Sequence, residues 1–427
     1  MMRLVGGRII DPASGRDEIG DLLIDGDTLV ARNGSANVTE IDVSGYIVAP
    51  GFVDLHCHLR EPGFEDKETI ASGTSAAAAG GFTTLCAVAD TQPAIDTGSD
   101  VEALLTQARR DALVRVLPLG TISKRRDGQE LSEMVDMAGV GAVAFSDDGR
   151  AIRSSRLMRH ALEYSLLVDR PIAAYALDPD LAAGGVMHEG SLATVLGLKG
   201  VPAEAEEVAV ARDLALAGLT GGRLHFAHLS TAGAVEQVRR ARATGVRVTA
   251  EVTPHHLLLT EAAVAGQPSG RAYDTNARTD PPLRTPFHAQ ALLEGLCDGT
   301  IDCIATDHAP QRWIDKACEF EAAEPGISGL ETAFGLLMRL VQAGALSLGD
   351  LIACLTSRAA AAWGLPYGTL APGAPADVVV LDPDQAWVVD VERFVSRGKN
   401  SPLHGQTLRG TVLLTMAKGN VVYRNGI

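Results

Sequence analysis

Histidine and aspartate residues recur in this sequence at the ends of short apolar runs. His56 and His58 close the first such run, GFVDLHCH, and stand two positions apart. In a β-strand, residues i and i+2 point to the same side, so the two imidazoles are expected to project together. Two imidazoles held side by side are a natural beginning for a zinc site. An HxH pair alone is a weak signal, and further ligands must come from elsewhere in the chain.

Further polar residues end later apolar runs. They are Asp147 and Asp148 in AVAFSDD, His225 and His228 in RLHFAHLS, His255 and His256 after RVTAEVTP, and Asp307 and His308 in IDCIATDH. Imidazole and carboxylate ligands suit zinc, which lowers the pKa of a bound water and polarises a carbonyl. A carboxylate beside the metal can take the proton of that water and pass it to a leaving nitrogen, and Asp307 is our candidate. The pattern predicts hydrolysis of an amide-like bond. The sequence has no G-x-S-x-G motif, which disfavours a serine hydrolase.

Eight apolar runs position these residues, and Ala- and Leu-rich helical stretches lie between them. The runs are GFVDLHCH, TTLCAVAD, VRVLPLG, AVAFSDD, PIAAYALD, RLHFAHLS, RVTAEVTP and IDCIATDH. Near-continuous apolar runs are typical of strands that are buried on both faces. Eight βα units over roughly 300 residues predict an α/β fold of the (β/α)8 TIM-type barrel class, whose strand ends meet at one mouth. A doubly wound open sheet is the alternative, although no GxGxxG follows the first strand.

The two ends of the chain differ from the middle in their pattern of apolar residues. Residues 1–50 and 366–427 read as short strands separated by Gly, Asp and Pro. Because chain termini often lie close together, one small composite β domain built from both termini is the economical prediction. We therefore expect residues 1–50 and 366–427 to form the two parts of this domain, and residues 51–365 to form the barrel.

The composition of the chain indicates which classes of molecule it can bind. The 427 residues carry 53 acidic and 37 basic side chains, for a net charge of −16. An acidic chain without a basic tract is a poor nucleic-acid binder, so a small-molecule substrate is the better expectation. The absence of an 18-residue apolar run and of a signal-peptide pattern argues against a membrane association and predicts a cytoplasmic location. The six cysteines form no C-x-x-C pair and are expected to be reduced thiols.

The motifs together resemble the amidohydrolase superfamily and, within it, the bacterial dihydroorotases of the long, class I type. The matching stretches are PGFVDLHCHLREPG at 50–63, FSDDG at 145–149, AHLST at 227–231, AEVTPHHLLLTE at 250–261, PPLR at 281–284, IATDHAP at 304–310, GLETAF at 329–334 and APGAPADVVVLDPD at 371–384. They span nearly the whole chain in the family's order. The resemblance implies a metal-dependent barrel that interconverts carbamoyl aspartate and dihydroorotate in pyrimidine biosynthesis.

The resemblance also implies roles for individual residues. His56 and His58 match the histidines of a first metal ion, Asp148 matches an aspartate ligand with Asp147 as the close alternative, His228 matches a ligand of a second ion, and Asp307 matches the general base and metal ligand. Arg60 matches the residue that binds the substrate carboxylate, for which a guanidinium offers a bidentate grip. Pro325 and Gly326 match a loop that lies near the substrate.

Four positions in the implied site depart from the family pattern. Tyr175 stands where the family has a ligand histidine, so the resemblance implies one or two zinc ions and puts the second site in question. Asp90 and Asp280 stand in place of asparagines, and Gln311 in place of a histidine. A carboxylate at 90 repels a substrate carboxylate, an ionised Asp280 has no proton to donate, and glutamine cannot be cationic.

These departures keep two alternatives open beside a dihydroorotase. One is a related amidohydrolase that acts on a different cyclic amide or imide, because the two aspartates suit a neutral or cationic ligand. The other is a weakly active, dihydroorotase-like scaffold partner of aspartate transcarbamoylase. From the resemblance we also expect the chain to form a homodimer.

Overall fold

The computed structural model describes residues 1–31, 38–267 and 270–427. In these ranges the strands are β1 (Met2–Asp11), β2 (Arg16–Asp25), β3 (Thr28–Val30), β4 (Thr39–Asp42), β5 (Ile47–Pro50), β6 (Phe52–Cys57), β7 (Phe82–Ala87), β8 (Arg115–Gly120), β9 (Ala144–Phe145), β10 (Ile172–Ala174), β11 (Met187–His188), β12 (Gly200–Val201), β13 (Leu224–Phe226), β14 (Val248–Val252), β15 (Cys303–Ile304), β16 (Val378–Val388), β17 (Thr407–Ala417) and β18 (Asn420–Arg424). They form two large sheets and one short pair, β11 with β12.

The larger part of the chain is a closed parallel barrel. Its strands follow the order β6, β7, β8, β9, β10, β13, β14, β15, and every neighbouring pair is parallel. A parallel bridge between Cys57 and His308 joins the first strand to the last and closes the ring. Each of the eight apolar runs overlaps one of these strands, so the predicted (β/α)8 fold is confirmed. The closing bridge excludes the open-sheet alternative.

Helices alternate with the barrel strands. They are α1 (Ile70–Ala79), α2 (Gly98–Asp111), α3 (Met134–Val140), α4 (Ser155–Ser165), α5 (Ser191–Leu196), α6 (Glu204–Thr220), α7 (Ala232–Ala243), α8 (Pro254–Leu258), α9 (Pro286–Cys297), α10 (Trp313–Lys316), α11 (Ala333–Gln342), α12 (Leu348–Leu355) and α13 (Ser357–Trp363). Several begin at a threonine whose hydroxyl accepts a backbone N–H of the first turn, as Thr69, Thr231 and Thr253 do. No helix in the described ranges is long and apolar enough to cross a membrane.

Residues from both chain ends share the second sheet. Strand β5 pairs in parallel with β1 and antiparallel with β16, so it joins the N-terminal strands to the C-terminal ones. The core of this second sheet contains Leu4, Ile9, Val378 and Leu414, all buried. Because β6 begins two residues after β5 ends, this sheet leads directly into the barrel strand that carries the two histidines.

Candidate active site and metal centre

Strand β6 brings two histidines to the barrel mouth. His56 lies in the strand and His58 just after it, and both side chains are buried. Their Nε2 atoms lie 3.4 and 3.6 Å from the same oxygen, Oδ2 of Asp148. The ligand atoms of these three residues all lie within 4.8 Å of one another. The structure therefore gathers three predicted metal ligands from two strand ends.

Of the two adjacent aspartates after β9, only Asp148 faces the histidines. The carboxylate of Asp147 accepts the backbone N–H groups of Ile122 and Ser123 at 2.8 and 3.1 Å, and also the Ser123 hydroxyl. Burial by itself raises the pKa of Asp148, but the charge of His56 and the hydrogen bond from His228 outweigh it and hold that pKa well below its usual range. Asp148 is thus an anionic ligand, whereas Asp147 supports the loop after β8.

Asp307 approaches the same cluster from the end of β15. Its Oδ1 lies 3.3 Å from His58 Nε2 and 3.9 Å from His56 Nε2. Its second oxygen lies 3.8 Å from Nε2 of His255, whose pKa burial lowers to about 4, so this imidazole is neutral at physiological pH. Asp307 can therefore contact both a metal held by the two histidines and a molecule beside it.

Two further carboxylates hold the outer nitrogens of the histidines. Glu251 Oε1 lies 3.0 Å from Nδ1 of His56, and Asp90 Oδ2 lies 2.9 Å from Nδ1 of His58. An Nδ1–H that donates to a carboxylate fixes the tautomer and leaves the Nε2 lone pair facing inward, as metal-binding histidines require. The other Glu251 oxygen lies 3.1 Å from Nε2 of His225. Burial acts to raise the pKa of Glu251, but the bonds from these histidines lower it to about 2.

Sequence reasoning missed Glu251, which contacts both His56 and His225. The available signal was a glutamate inside an otherwise apolar run, RVTAEVTP, because a charged side chain in a buried strand needs a partner. What the sequence does not show is the partner, since Glu251 and His56 lie 195 positions apart.

Three residues at strand ends adopt left-handed backbone conformations. The φ angles are 63° at Arg60, 34° at His228 and 46° at Asp307. Such a conformation costs roughly 1–3 kcal/mol in a residue other than glycine, and it persists where the surrounding structure enforces it, commonly at functional sites. The strain coincides with three predicted site residues.

Comparison with known proteins agrees with this geometry. A dihydro-orotase-like family model matches residues 45–234, and an amidohydrolase family model matches residues 201–423. A dihydroorotase from Anaeromyxobacter sp. (strain K) is 49% identical over 432 residues, which cover 99% of this chain and 97% of that protein. A dihydroorotase from Syntrophus aciditrophicus (strain SB) is 47% identical and covers 99% of both chains. The chain belongs to the dihydroorotase family of amidohydrolases.

Solved structures share the fold of this dihydroorotase-family chain. An L-hydantoinase (dihydropyrimidinase) from Arthrobacter aurescens superposes with a TM-score of 0.88 at 25% identity, over 100% of this chain and 96% of that one. The likeness shows that the barrel and the composite sheet form one amidohydrolase-type arrangement.

Tyr175 and Asp280 lie together beside His228. The ring of Tyr175 packs edge-on against the His228 imidazole, with centroids 5.5 Å apart, and Tyr175 and Asp280 line the same cavity. Burial, followed by the charge of Asp280, raises the pKa of Tyr175 well above its usual value. Tyr175 therefore keeps its phenol proton. Asp280 is exposed at the wall of this cavity, and partial desolvation by the surrounding protein atoms raises its pKa.

That cavity has a volume of about 400 Å³. Tyr175, Asp280 and Pro325 line it, together with Arg150 and Arg278. The structure places these predicted substrate-binding residues, Asp280 and Pro325, at a surface that a small molecule can reach. Gly149, the sequence neighbour of Asp148, also lines the cavity, whereas the side chains of the candidate metal cluster do not.

The other predicted substrate-binding residues are engaged with protein groups. Arg60 donates from Nη1 to Asp90 and from Nε to the Pro310 carbonyl. Gln311 donates its amide to the Pro325 carbonyl at 2.7 Å, and its backbone N–H to Asn400. Gly326 has a φ of 125°, and a Cβ there would lie 2.6 Å from the Ala309 carbonyl oxygen. Arg60, Asp90, Gln311 and Gly326 do not line the cavity beside Tyr175.

Proposed function

We propose that this protein is a zinc-dependent dihydroorotase that interconverts carbamoyl aspartate and dihydroorotate in de novo pyrimidine biosynthesis. The observation that carries the proposal is the buried cluster of His56, His58, Asp148 and Asp307. It occurs in a chain that is 49% identical, over nearly its full length, to a protein named dihydroorotase.

The residues of the cluster fit a zinc ion. His56 Nε2 is buried and has no hydrogen-bond partner among the described residues, although it points at two carboxylates. Imidazole nitrogen and carboxylate oxygen are ligands that zinc accepts, and a catalytic zinc site takes about three protein ligands. We propose His56, His58 and Asp148 as these ligands, with Asp307 contributing from the end of β15.

In the proposed reaction, a water oxygen bonds to the ring carbonyl carbon of dihydroorotate and the carbon–nitrogen bond of the ring breaks. A zinc ion, when bound, makes water more acidic and polarises a carbonyl. The Asp307 carboxylate takes a proton from the water and delivers it to the departing nitrogen, so the carboxylate returns to its initial state. Nε2 of His58 and Nε2 of His255 lie 3.3 and 3.8 Å from its two oxygens, so this carboxylate stands between the proposed metal position and the His255 imidazole.

We propose that Arg60 binds the substrate carboxylate and that Asp280, Pro325 and Gly326 surround the ring, with Gln311 holding the loop that carries the last two. The Gln311 bond to Pro325 supports that positioning role. Asp90, in contact with both His58 and Arg60, offsets part of the positive charge that a substrate carboxylate would meet.

Ring opening and closure of dihydroorotate by the purified, zinc-loaded protein test the proposal. Asp307→Asn should abolish turnover in both directions without unfolding the protein, because the amide cannot accept the proton. Asp25→Asn, at an exposed position on the terminal sheet, is the matched control and should keep the wild-type rate. An Asp307→Asn variant that still turns over would contradict the mechanism.

A second candidate is hydrolysis of another cyclic amide or imide by the same site. The specific observation that favours it is the Asp280 carboxyl in the cavity wall, which suits a neutral ring with N–H donors. Parallel assays with dihydroorotate, dihydrouracil and hydantoin decide between the two. Turnover of the neutral rings alone would replace the first proposal.

The location of the protein and its protein partners stay predictions. A cytoplasmic location, a homodimer and an aspartate transcarbamoylase partner are proposed from the resemblance. The scaffold alternative predicts that the protein co-purifies with a transcarbamoylase and has little turnover alone. Full turnover by the isolated chain would reject a purely structural role.

A further inference from the structure

Asp148 presents its two oxygens to different neighbours. Oδ2 faces His56 and His58, whereas Oδ1 lies 3.2 Å from Nε2 of His228. His228 and Asp148 Oδ1 thus form the beginning of a second ligand set on the far side of the carboxylate. Two protein ligands are fewer than the three that a catalytic zinc takes. Among the described residues, the cluster that can hold an ion consists of His56, His58 and Asp148, and His228 is not part of it.

The position that could complete the second set is filled by Tyr175. This residue directly follows β10, at the strand end next to β13, which leads to His228. Its ring stands edge-on to the imidazole, 71° from coplanar, and so occupies the space on that side of His228. Tyr175 and Asp280 both line the cavity on this side. A neutral phenol is in any case a much weaker zinc ligand than an imidazole or a carboxylate.

We infer that the centre holds one metal ion, on the side of His56 and His58, and that the Tyr175–Asp280 pair replaces a second ion beside His228. The inference rests on the proposed metal centre and specifies its composition. His228 is then a positioning residue: its bond to Oδ1 leaves Oδ2 of Asp148 for the single ion. Asp280, which lines the same cavity as Tyr175, contributes a hydrogen-bonding group to the cavity wall where a second ion would have contributed positive charge.

The number of ions per chain tests this inference independently of the substrate. We would load the full-length protein with excess zinc, remove weakly bound metal by dialysis, and measure zinc by mass spectrometry. A cobalt titration followed by its visible absorption gives a second readout, with a break at each filled site. The wild-type protein should bind one ion, with a single break.

Variants at positions 175 and 228 test whether Tyr175 is the residue that excludes a second ion. Tyr175→His should raise the content to two ions, because it completes the second set, whereas Tyr175→Phe keeps the ring, removes the hydroxyl and should stay at one. His228→Ala should leave the wild-type count at one but return the Tyr175→His protein from two to one. Thermal melting confirms that each variant is folded, and Tyr175→His with Asp280→Asn serves if the single variant is not.

Each result decides the question. Two ions in the wild-type protein, or loss of an ion in His228→Ala alone, would overturn the inference. A folded Tyr175→His protein that still binds one ion, singly and with Asp280→Asn, would show that Tyr175 does not exclude the second ion. No bound metal would reject the proposed centre itself. Missing turnover with one bound ion would instead count against the proposed reaction and leave the inference standing.

Discussion

At the scale of single residues, the site is built from pairs of histidine and carboxylate. His56 with Glu251 and His58 with Asp90 repeat one arrangement, in which the outer nitrogen is held and the inner nitrogen faces the candidate metal. Asp90 also contacts Arg60, so one carboxylate links a metal ligand to the proposed substrate-binding arginine. Asp90 is therefore better understood as a group that positions its neighbours than as one that repels the substrate.

Replacing Asp90 by Asn tests this role. We expect the affinity for zinc to fall by about 10- to 100-fold, since the outer partner of His58 loses its charge. Competition with a chromophoric chelator measures the change, and Asp25→Asn is the control for removing one acidic side chain. A changed KM for dihydroorotate with unaltered zinc affinity would assign Asp90 to the substrate instead.

At the scale of elements, the first and last barrel strands are tied together next to the site. Asp54, in β6, accepts the backbone N–H of Thr306 at 2.9 Å and also its hydroxyl. The Thr306 hydroxyl in turn accepts the N–H of His308 at 3.0 Å. These bonds close the barrel between the strand that carries His56 and the segment that carries Asp307.

Thr306→Val should therefore destabilise the protein. It removes the donor to Asp54 and the acceptor for His308, and buried groups left without partners cost about 1–3 kcal/mol each. We expect the free energy of unfolding in urea to fall by about 2–4 kcal/mol. Thr121→Val is the matched control, because the Thr121 hydroxyl is fully buried and has no partner among the described residues. Equal losses in both variants would contradict this account.

The loop after β15 depends on one glycine. Gly326 combines a φ of 125° with an approach that would place a Cβ 2.6 Å from the Ala309 carbonyl oxygen. Gly197 has a φ of 68° but no neighbour within 4 Å of the position of a Cβ. We expect Gly197→Ala to cost about 1–2 kcal/mol for backbone strain, and Gly326→Ala to cost about 1–3 kcal/mol more for the clash. Urea unfolding of both variants separates these contributions, and a Gly326→Ala loss no larger than that of Gly197→Ala would argue against the close approach.

At the scale of the whole molecule, the segment between the terminal-sheet strands β16 and β17 packs onto the barrel. Glu331, just before α11, accepts the backbone N–H groups of Val395 and Ser396 at 2.9 and 3.0 Å. Ser396 in turn donates to Glu68, which lies 3.3 Å from His308. A chain of polar contacts thus runs from the surface of the barrel to the end of its last strand.

This contact should make stability depend on pH. Burial raises the pKa of Glu331 from its ordinary value of 4.5 to about 7, so between these values the folded protein holds a proton that the unfolded chain releases. The stabilisation that Glu331 confers is therefore complete below about pH 4.5 and is lost as the pH rises through 7. This loss lowers the free energy of unfolding by up to about 3 kcal/mol. Glu331→Gln should remove this decline in urea unfolding between pH 5 and 8. Glu392→Gln, at an exposed position of the same region, is the charge-matched control and should keep the decline.

The sequence by itself determined the barrel and pointed to most residues of the candidate metal cluster. Eight runs of buried strand residues can be recognised locally, because strands covered on both faces must be apolar along their whole length. The alternation of a strand likewise places His56 and His58 on one side without knowledge of the rest of the chain. Polar residues at the ends of parallel strands then have one place to converge, so Asp148, His228 and Asp307 could be grouped with them.

Only the tertiary structure decided which of several chemically equivalent groups face each other. Asp147 and Asp148 are identical in type and adjacent in sequence, but it is Asp147 that accepts the backbone N–H groups of Ile122 and Ser123. Glu251 reaches His56 across 195 positions. Asp90 alone predicts repulsion of a substrate carboxylate, whereas in the structure it contacts both Arg60 and His58. Sequence periodicity reports whether a side chain faces the core or the solvent, whereas the identity of its partner depends on packing between elements that are distant along the chain.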